Sequence, residues 1–409
     1  MNKNVGVLIL VLLLCNSLIC SGIYESSTNN SFLENPTENK FDLQINIHML
    51  LGHLSSISAG IIKNNSVVWY NSYGLSDRYQ SHKPNKDTIY KVGSISKVVT
   101  ATAFMHIWEN HSYDLDLDAD ICNYIPFDLK NPKYPDVNIT FRMLLSHQSS
   151  IFEWLELSSL SYMFSDNDYS FIKEILLPNG SEYHPEYWAD YPPGAEKNYS
   201  NLGYILLAYL IEQITGESFE QYCQNHIFKP LGMYNTSFTI KNLNQSNIAS
   251  PYYWIGGFYI PIKKTDYLFI DPCGGLFTTV EDLSHFFIAH LNKGEFNGIR
   301  ILRESTIELM HTPQFPESRW TGNNQYGLGW AIITNQNDEI IRVGHSGGMI
   351  CYTSMMFHFV NDNVSVIYMV NSGSNFIANE YQIPLPSIFL QNYAYNKILL
   401  LLLEKGITL

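Results

Sequence analysis

The chain has 409 residues, 45% of them hydrophobic and 15% charged. That apolar share is enough for a sizeable core and excludes wholesale disorder. Its 24 Lys and Arg stand against 38 Asp and Glu, a formal net charge of −14 with no basic run. This excludes a binder that works by neutralising nucleic-acid phosphates.

Lys3 precedes an apolar run from Val5 to Cys20, followed by the small residues Cys20-Ser21-Gly22. This is the pattern of a secretory signal peptide over 1–22, and the run is shorter than a bilayer span requires. A polar, disordered leader is expected over 23–40. Asn-x-Ser/Thr sequons at Asn29, Asn64, Asn110, Asn138, Asn179, Asn198, Asn235, Asn244 and Asn363 agree with a secreted or lysosomal glycoprotein. Cys122, Cys223, Cys273 and Cys351 fit no zinc spacing. They leave disulfides or buried thiols equally open.

From Phe41 to Leu51 the apolar spacing is helical. Ser58 to Ile62 and Val67 to Tyr73 are β-rich runs around Lys63-Asn64-Asn65-Ser66, a hairpin signature. A helix is expected from Ser94 to about Asn110, and another from Asn201 to Ile214, stopping at Gly216. Thr278 and Glu281 form a capping box before Leu283 to Leu291. After Ile340 the pattern is β again: Cys351 to Val360, a turn at Asn361-Asp362-Asn363, then Val364 to Val370. The Leu399 to Leu403 run, too short to cross a membrane, fits a packed terminal helix. Strands at both ends and helices between predict an α/β (α+β) chain. An α/β part over 41–90 and 275–380 would carry an α-rich part with cleft loops over 91–274, with a C-terminal helix over 381–409.

Three short motifs carry chemistry. Ser94-Ile95-Ser96-Lys97 puts a hydroxyl and an amine on one helix face. A serine attacks only once a base takes its proton. The spacing alone is weak, since Ser170 to Lys173 repeats it. Tyr199-Ser200-Asn201 offers a phenol for proton transfer and an amide to hold a substrate, with Asn201 also able to cap its helix. His345-Ser346-Gly347 stands before the predicted strand from Cys351. Gly344 to Gly348 also matches Gly-x-Ser-x-Gly, but a nucleophile elbow needs a following helix, and here β-like sequence follows.

Taken in order, these motifs resemble the serine β-lactamase and penicillin-binding-protein family, nearest its class C β-lactamase, D,D-peptidase and esterase branch. Flanking blocks agree: Leu115 to Asp118, Leu144-Leu145-Ser146-His147, Pro193-Gly194, Pro230 to Met233, Gly274-Gly275-Leu276 and Tyr326-Gly327-Leu328-Gly329-Trp330. The likeness covers roughly residues 41–375. It implies a β-lactamase/transpeptidase-like fold, an antiparallel sheet flanked by helices with an α-rich insertion. It implies a secreted serine hydrolase that acts on an amide or ester of a small molecule or peptide, without metal or cofactor. Ser94 would be acylated, Lys97 and Tyr199 would share proton transfer, and Asn201 and His345 would complete the catalytic group. Backbone N–H groups of Ser94 and Gly348 would form the oxyanion hole, with Ser346 and Gly347 binding substrate.

Two departures bear on substrate. Gln148-Ser149-Ser150 stands where relatives have Thr-Ser-Gly, and His345 where most carry Lys. A neutral imidazole lacks the fixed charge that holds a carboxylate, which lowers the expectation for β-lactams. Asn198 is a sequon touching Tyr199, so it is expected to stay unglycosylated. The rings Phe152, Trp154, Tyr162, Phe164, Tyr169, Phe171, Tyr183, Tyr187, Trp188 and Tyr191, with Tyr252, Tyr253, Trp254, Phe258 and Tyr259, are expected to wall the cleft. A catalytically inactive scaffold or binding protein is the alternative. Oligomeric state stays open.

Overall fold

The structure is a computed structural model describing residues 36–110, 113–152, 169–255, 257–262, 271–315, 324–349, 351–372 and 385–409. The signal and most of the leader lie outside these residues. By its contacts the chain divides into Met1–Gln44 and Ile45–Leu409. Helix α1 (Pro36–Leu51) begins five residues before the helical spacing at Phe41 and takes in the end of the expected leader. Pro36 fits its first turn, where the missing N–H has no partner to lose.

The second unit is built on a seven-stranded antiparallel sheet. Its strands are β1 (Ser56–Lys63), β2 (Ser66–Gly74), β3 (Asn324–Tyr326), β4 (Ala331–Thr334), β5 (Ile340–Met349), β6 (Tyr352–Phe359) and β7 (Val364–Val370). The order across the sheet is β2-β1-β7-β6-β5-β4-β3. The first hairpin therefore pairs with the end of the chain, Ile57 opposite Val370. Its tip has φ 51° at Asn64 and φ 58° at Asn65. That left-handed pair is what a two-residue turn needs to match strand twist, and Asn tolerates it.

Helices cover both faces of the sheet. Helix α5 (Val280–Leu291) packs on β1 and β7, and a side chain at Gly60 would run into Val280. Helix α6 (Leu385–Thr408) also packs on β1 and β7, and Gly406 lets it close on Ile61 and Val364. Gly60 and Ile61 are neighbours on a strand, so they face opposite sides.

Between the two sets of strands runs the helical part. Helix α2 (Ile95–Glu109) is buried at every position from Ile95 to Met105, and helix α4 (Asn201–Thr215) at every position from Asn201 to Ile211. A helix that is buried all round must be central. Leu202, Ile205, Leu206, Leu207 and Leu210 of α4 are each at most 1% exposed. Each such burial stabilises by about 2 kcal/mol. Short helix α3 (Phe141–Leu145) and the turn Asp271–Gly274 pack on α4, and that turn also on α2. An antiparallel sheet flanked by helices, with a buried helical part inserted between β2 and β3, makes the mixed α/β fold class that the sequence indicates.

The four cysteines are free thiols, all buried except the half-buried Cys122. Most of the described aromatic rings expected to wall a cleft serve packing instead. Tyr169, Tyr187 and Trp188 lie in the main core, and the Trp188 indole donates to the Leu176 carbonyl at 3.0 Å. Phe171 and Tyr183 pack against that core. Trp254 stacks on His53 at 4.2 Å, and Tyr259 lies under the Arg78 guanidinium at 3.4 Å. Long loops need their own apolar anchors, and these rings supply them. Trp154, Tyr162 and Phe164 fall outside the described residues.

Candidate active site

The first motif sits where α2 begins. Gly93 turns the chain with φ 53°, a conformation that favours glycine. Ser94 follows at the N-cap position without using its side chain as a cap. Gly93 and Ser94 belong to a segment wedged against strand β5. A Cβ on Gly93 would lie 2.8 Å from the Gly348 nitrogen, and one on Gly347 would overlap the Val92 carbonyl. The Ser354 hydroxyl of β6 fixes that same carbonyl at 2.7 Å. The sequence of glycines here is thus a requirement for close backbone approach.

Ser94 is half-buried while every neighbour from Ile95 to Thr100 is buried, so its hydroxyl is what this turn offers to solvent. The amides of Ile95, Ser96 and Lys97 donate to the carbonyls of Val92, Gly93 and Ser94. The Ser94 N–H makes no backbone–backbone hydrogen bond among the described residues. Beside the Gly348 backbone and at the positive end of α2, it suits a developing oxyanion.

Lys97 is 0% exposed. Its Nζ donates to Ser94 Oγ at 3.3 Å and to the Cys273 carbonyl at 2.6 Å. It also lies 4.7 Å from the centre of the Tyr199 ring. The Cys273 carbonyl is held in turn because Ser96 Oγ accepts from Leu276 N and Thr100 Oγ1 donates to the Pro272 carbonyl. This backbone partner is invisible to motif reading, since no side chain marks it.

Tyr199 closes the group from the other side. Burial raises its phenol above the ordinary tyrosine range, while Lys97 and Ser94 pull it down by charge and hydrogen bonding. It is therefore a neutral phenol at rest. Ser200, not Asn201, caps α4: its Oγ accepts from Gly203 N at 3.0 Å. That corrects the expected capping role of Asn201. Asn201 is the first residue of the helix and is 7% exposed.

His345 is brought to the same group on β5, with its ring centre 6.4 Å from that of Tyr199. Both ring nitrogens are engaged. Nδ1 lies 2.6 Å from the Ser346 carbonyl and so must carry the proton, and Nε2 accepts from the Tyr326 hydroxyl at 2.8 Å. Burial first, then Lys97, lowers its pKa to about 4. Its next neighbour on β5, Ser346, is exposed, whereas Gly347 is a buried packing glycine.

The low pKa has a consequence for stability. The unfolded His345 titrates near 6.5 and the folded one near 4, so the unfolded state binds more protons between these values. Stability is complete above pH 6.5 and is lost as pH falls toward 4, by about 3 kcal/mol from this residue. Between pH 7 and pH 4.5 the urea unfolding free energy should fall by about 2 kcal/mol from this residue. Equal midpoints at the two pH values would contradict a buried, neutral His345.

Two residues of this site were not singled out by the motifs. Tyr326, in β3, joins His345 to the site, and Lys197 lies over its ring with Nζ at 5.0 Å. Burial lowers the Lys197 amine to about 7. Its charge therefore fades as pH rises through neutrality.

A sequence profile of the beta-lactamase family matches residues 47–382. The chain belongs to the beta-lactamase family. It is 27% identical over 345 residues to Protein flp of Staphylococcus aureus (strain MRSA252), covering 84% of this chain and 65% of that protein. Beta-lactamase-like protein 4 of Dictyostelium discoideum is 27% identical over 333 residues, covering 77% of this chain and 56% of that one. The chain thus spans less than two thirds of the curated relatives it matches. Among solved structures, the octameric penicillin-binding protein homologue from Pyrococcus abyssi superposes with a TM-score of 0.68 at 26% identity. That match covers 88% of this chain and 77% of the other. The D-amino acid amidase from Ochrobactrum anthropi SV3 has the same fold, with a TM-score of 0.67 at 20% identity over 91% of this chain and 99% of its own. No described helix of this beta-lactamase family chain is long and apolar enough to cross a membrane.

Proposed function

We propose that the protein is a serine hydrolase that forms an acyl-enzyme at Ser94 from an amide or ester and then hydrolyses it. The observation that carries this reading is the 3.3 Å contact between Lys97 Nζ and Ser94 Oγ, under the Tyr199 phenol. In the first step Ser94 Oγ bonds to the substrate carbonyl carbon, and its proton passes to the Lys97–Tyr199 pair. The carbonyl oxygen becomes an oxyanion facing the Ser94 and Gly348 N–H groups. Collapse breaks the bond to the leaving amine or alcohol, which takes the proton by way of Tyr199. Water then attacks the acyl group by the same route in reverse, and Ser94 regains its proton. Asn201, at the start of α4, would hold the substrate, as would the exposed Ser346. The segment 1–22 would direct the chain into the secretory route.

Substrate choice follows from His345. With both nitrogens used inside the protein, His345 offers no fixed positive charge to a substrate carboxylate. Neutral esters and amides are therefore favoured over penicillins. The test is intact mass and turnover of purified protein with an alkyl fluorophosphonate, a neutral aryl ester and benzylpenicillin. A single fluorophosphonate adduct and ester turnover at least about 100-fold above penicillin turnover is expected. Folded protein that reacts with none of the three is instead the inactive scaffold.

A further inference from the structure

His147 follows α3 and is 1% exposed. It holds φ 62°, a left-handed conformation that a non-glycine residue adopts at a cost of about 1 kcal/mol or more. Strain of that kind persists where surrounding contacts over-determine it, and here they converge on one neighbour. The His147 carbonyl accepts from the Asn198 N–H at 2.9 Å. The His147 Nδ1 accepts from the Ser200 N–H at 3.1 Å. The N–H groups of the residues before and after Tyr199 are thus tied to one residue. The imidazole also lies against the Tyr199 ring, with centres 4.2 Å apart, and meets Tyr204 at 5.1 Å and Tyr326 at 4.7 Å. The next residue extends the ledge, since the Gln148 carbonyl accepts from Gly194 N at 2.8 Å.

We infer that His147 is a positioning residue for Tyr199, setting the place of the phenol by clamping the backbone on both sides of it and backing its ring. The inference rests on the reading of Tyr199 as a proton carrier. The clamp also fixes the chemistry of the imidazole. A nitrogen that accepts from a peptide N–H cannot carry a proton, so the ring is the neutral Nε2–H tautomer. Protonating Nδ1 would set two donors against each other and release the Ser200 amide. Burial first, then the neighbouring Lys97, His345 and Lys197, hold the imidazole well below its usual titration range. The groups that face it, Lys97 on α2, Tyr199 and Lys197 on the loop before α4, Tyr204 on α4, Tyr326 on β3 and His345 on β5, offer no carboxylate. The clamp therefore stays closed across the working pH range.

The test is the rate at which an alkyl fluorophosphonate labels Ser94, followed by intact mass from pH 5 to pH 9 (about the range over which such enzymes are assayed). It compares the wild-type protein, His147→Phe and His147→Asn. Phe keeps a ring but leaves the Ser200 N–H without its acceptor. Asn keeps an acceptor near Nδ1 and tolerates the left-handed backbone. Phe is expected to slow labelling by at least about tenfold and to move the pH midpoint, while Asn stays within about threefold of wild type. A Phe variant within about twofold of wild type, with its pH midpoint unmoved, overturns the inference. So does an Asn variant as slow as Phe. If the Phe variant does not fold, Asn decides alone: labelling within about threefold upholds the clamp, and a loss beyond about tenfold overturns it. Wild-type protein that takes no label at Ser94 overturns the hydrolase reading and this inference together.

Discussion

Ser94→Ala is expected to abolish fluorophosphonate labelling and to lower ester turnover by at least about a thousandfold. The expectation is this large because the rest of the group has no second nucleophile to offer. Lys97 is enclosed, its Nζ divided between Ser94 Oγ and the Cys273 carbonyl. The Tyr199 hydroxyl oxygen is shielded from solvent. Only Ser94 combines partial exposure with a base in contact. The substitution removes one oxygen from a half-buried position, so the melting temperature should stay close to that of wild type. Intact mass after labelling, read beside a thermal melt, separates the two effects. A mutant that still takes one label at full rate places the nucleophile elsewhere.

Gly347→Ala has the second large effect, for a steric reason. The added methyl group would overlap the Val92 carbonyl and lie 2.5 Å from Ser354 Oγ. Neither neighbour can give way cheaply. Val92 is the residue before Gly93, and its carbonyl is bonded to Ser354 and to Ile95 N. Strand β5 must then move away from the start of α2. Displacing Gly348 by about 1 Å from an oxyanion costs about 100-fold in rate, the size of a lost oxyanion donor. A drop of several degrees in melting temperature should accompany it, and Ser346→Ala on the exposed side of the same strand should show neither effect on stability. Wild-type rate and melting temperature in Gly347→Ala would refute the close packing of β5 on the Val92–Ser94 turn.

The parts of the site legible in the sequence are those written in local spacing. Ser94 and Lys97 are three residues apart on one helix, and Tyr199 to Asn201 lie just before and within the first turn of another. The hairpin at Asn64-Asn65 is legible for the same reason, since its turn chemistry is contained in two residues. What could not be read joins distant segments through backbone atoms or through choices between equivalent partners. Nothing in Cys273 says that its carbonyl will hold a lysine 176 positions away. Ser200 and Asn201 are both good helix caps by type, and only the fold decides between them. The aromatic stretch misled because composition does not tell a ring that faces a ligand from one that anchors a loop. His345 was legible as a position and not as a state, since its two nitrogens are assigned by Tyr326 and by its own following carbonyl.

The strand order carries a consequence for how the chain is made. The amide of Ser55 bonds to the Ser372 hydroxyl, 317 positions away, and β1 finds its inner neighbour only in β7. During synthesis the first hairpin emerges with the Ile57, Ala59 and Ile61 face of β1 uncovered and the strand open along one edge. It must wait for roughly three hundred more residues, on the order of fifteen seconds or more at ribosomal speed. An unpaired edge of that kind invites pairing with another chain. Nascent copies of this protein should therefore depend on chaperones that mask β1, and crowded polysomes should be where it aggregates first.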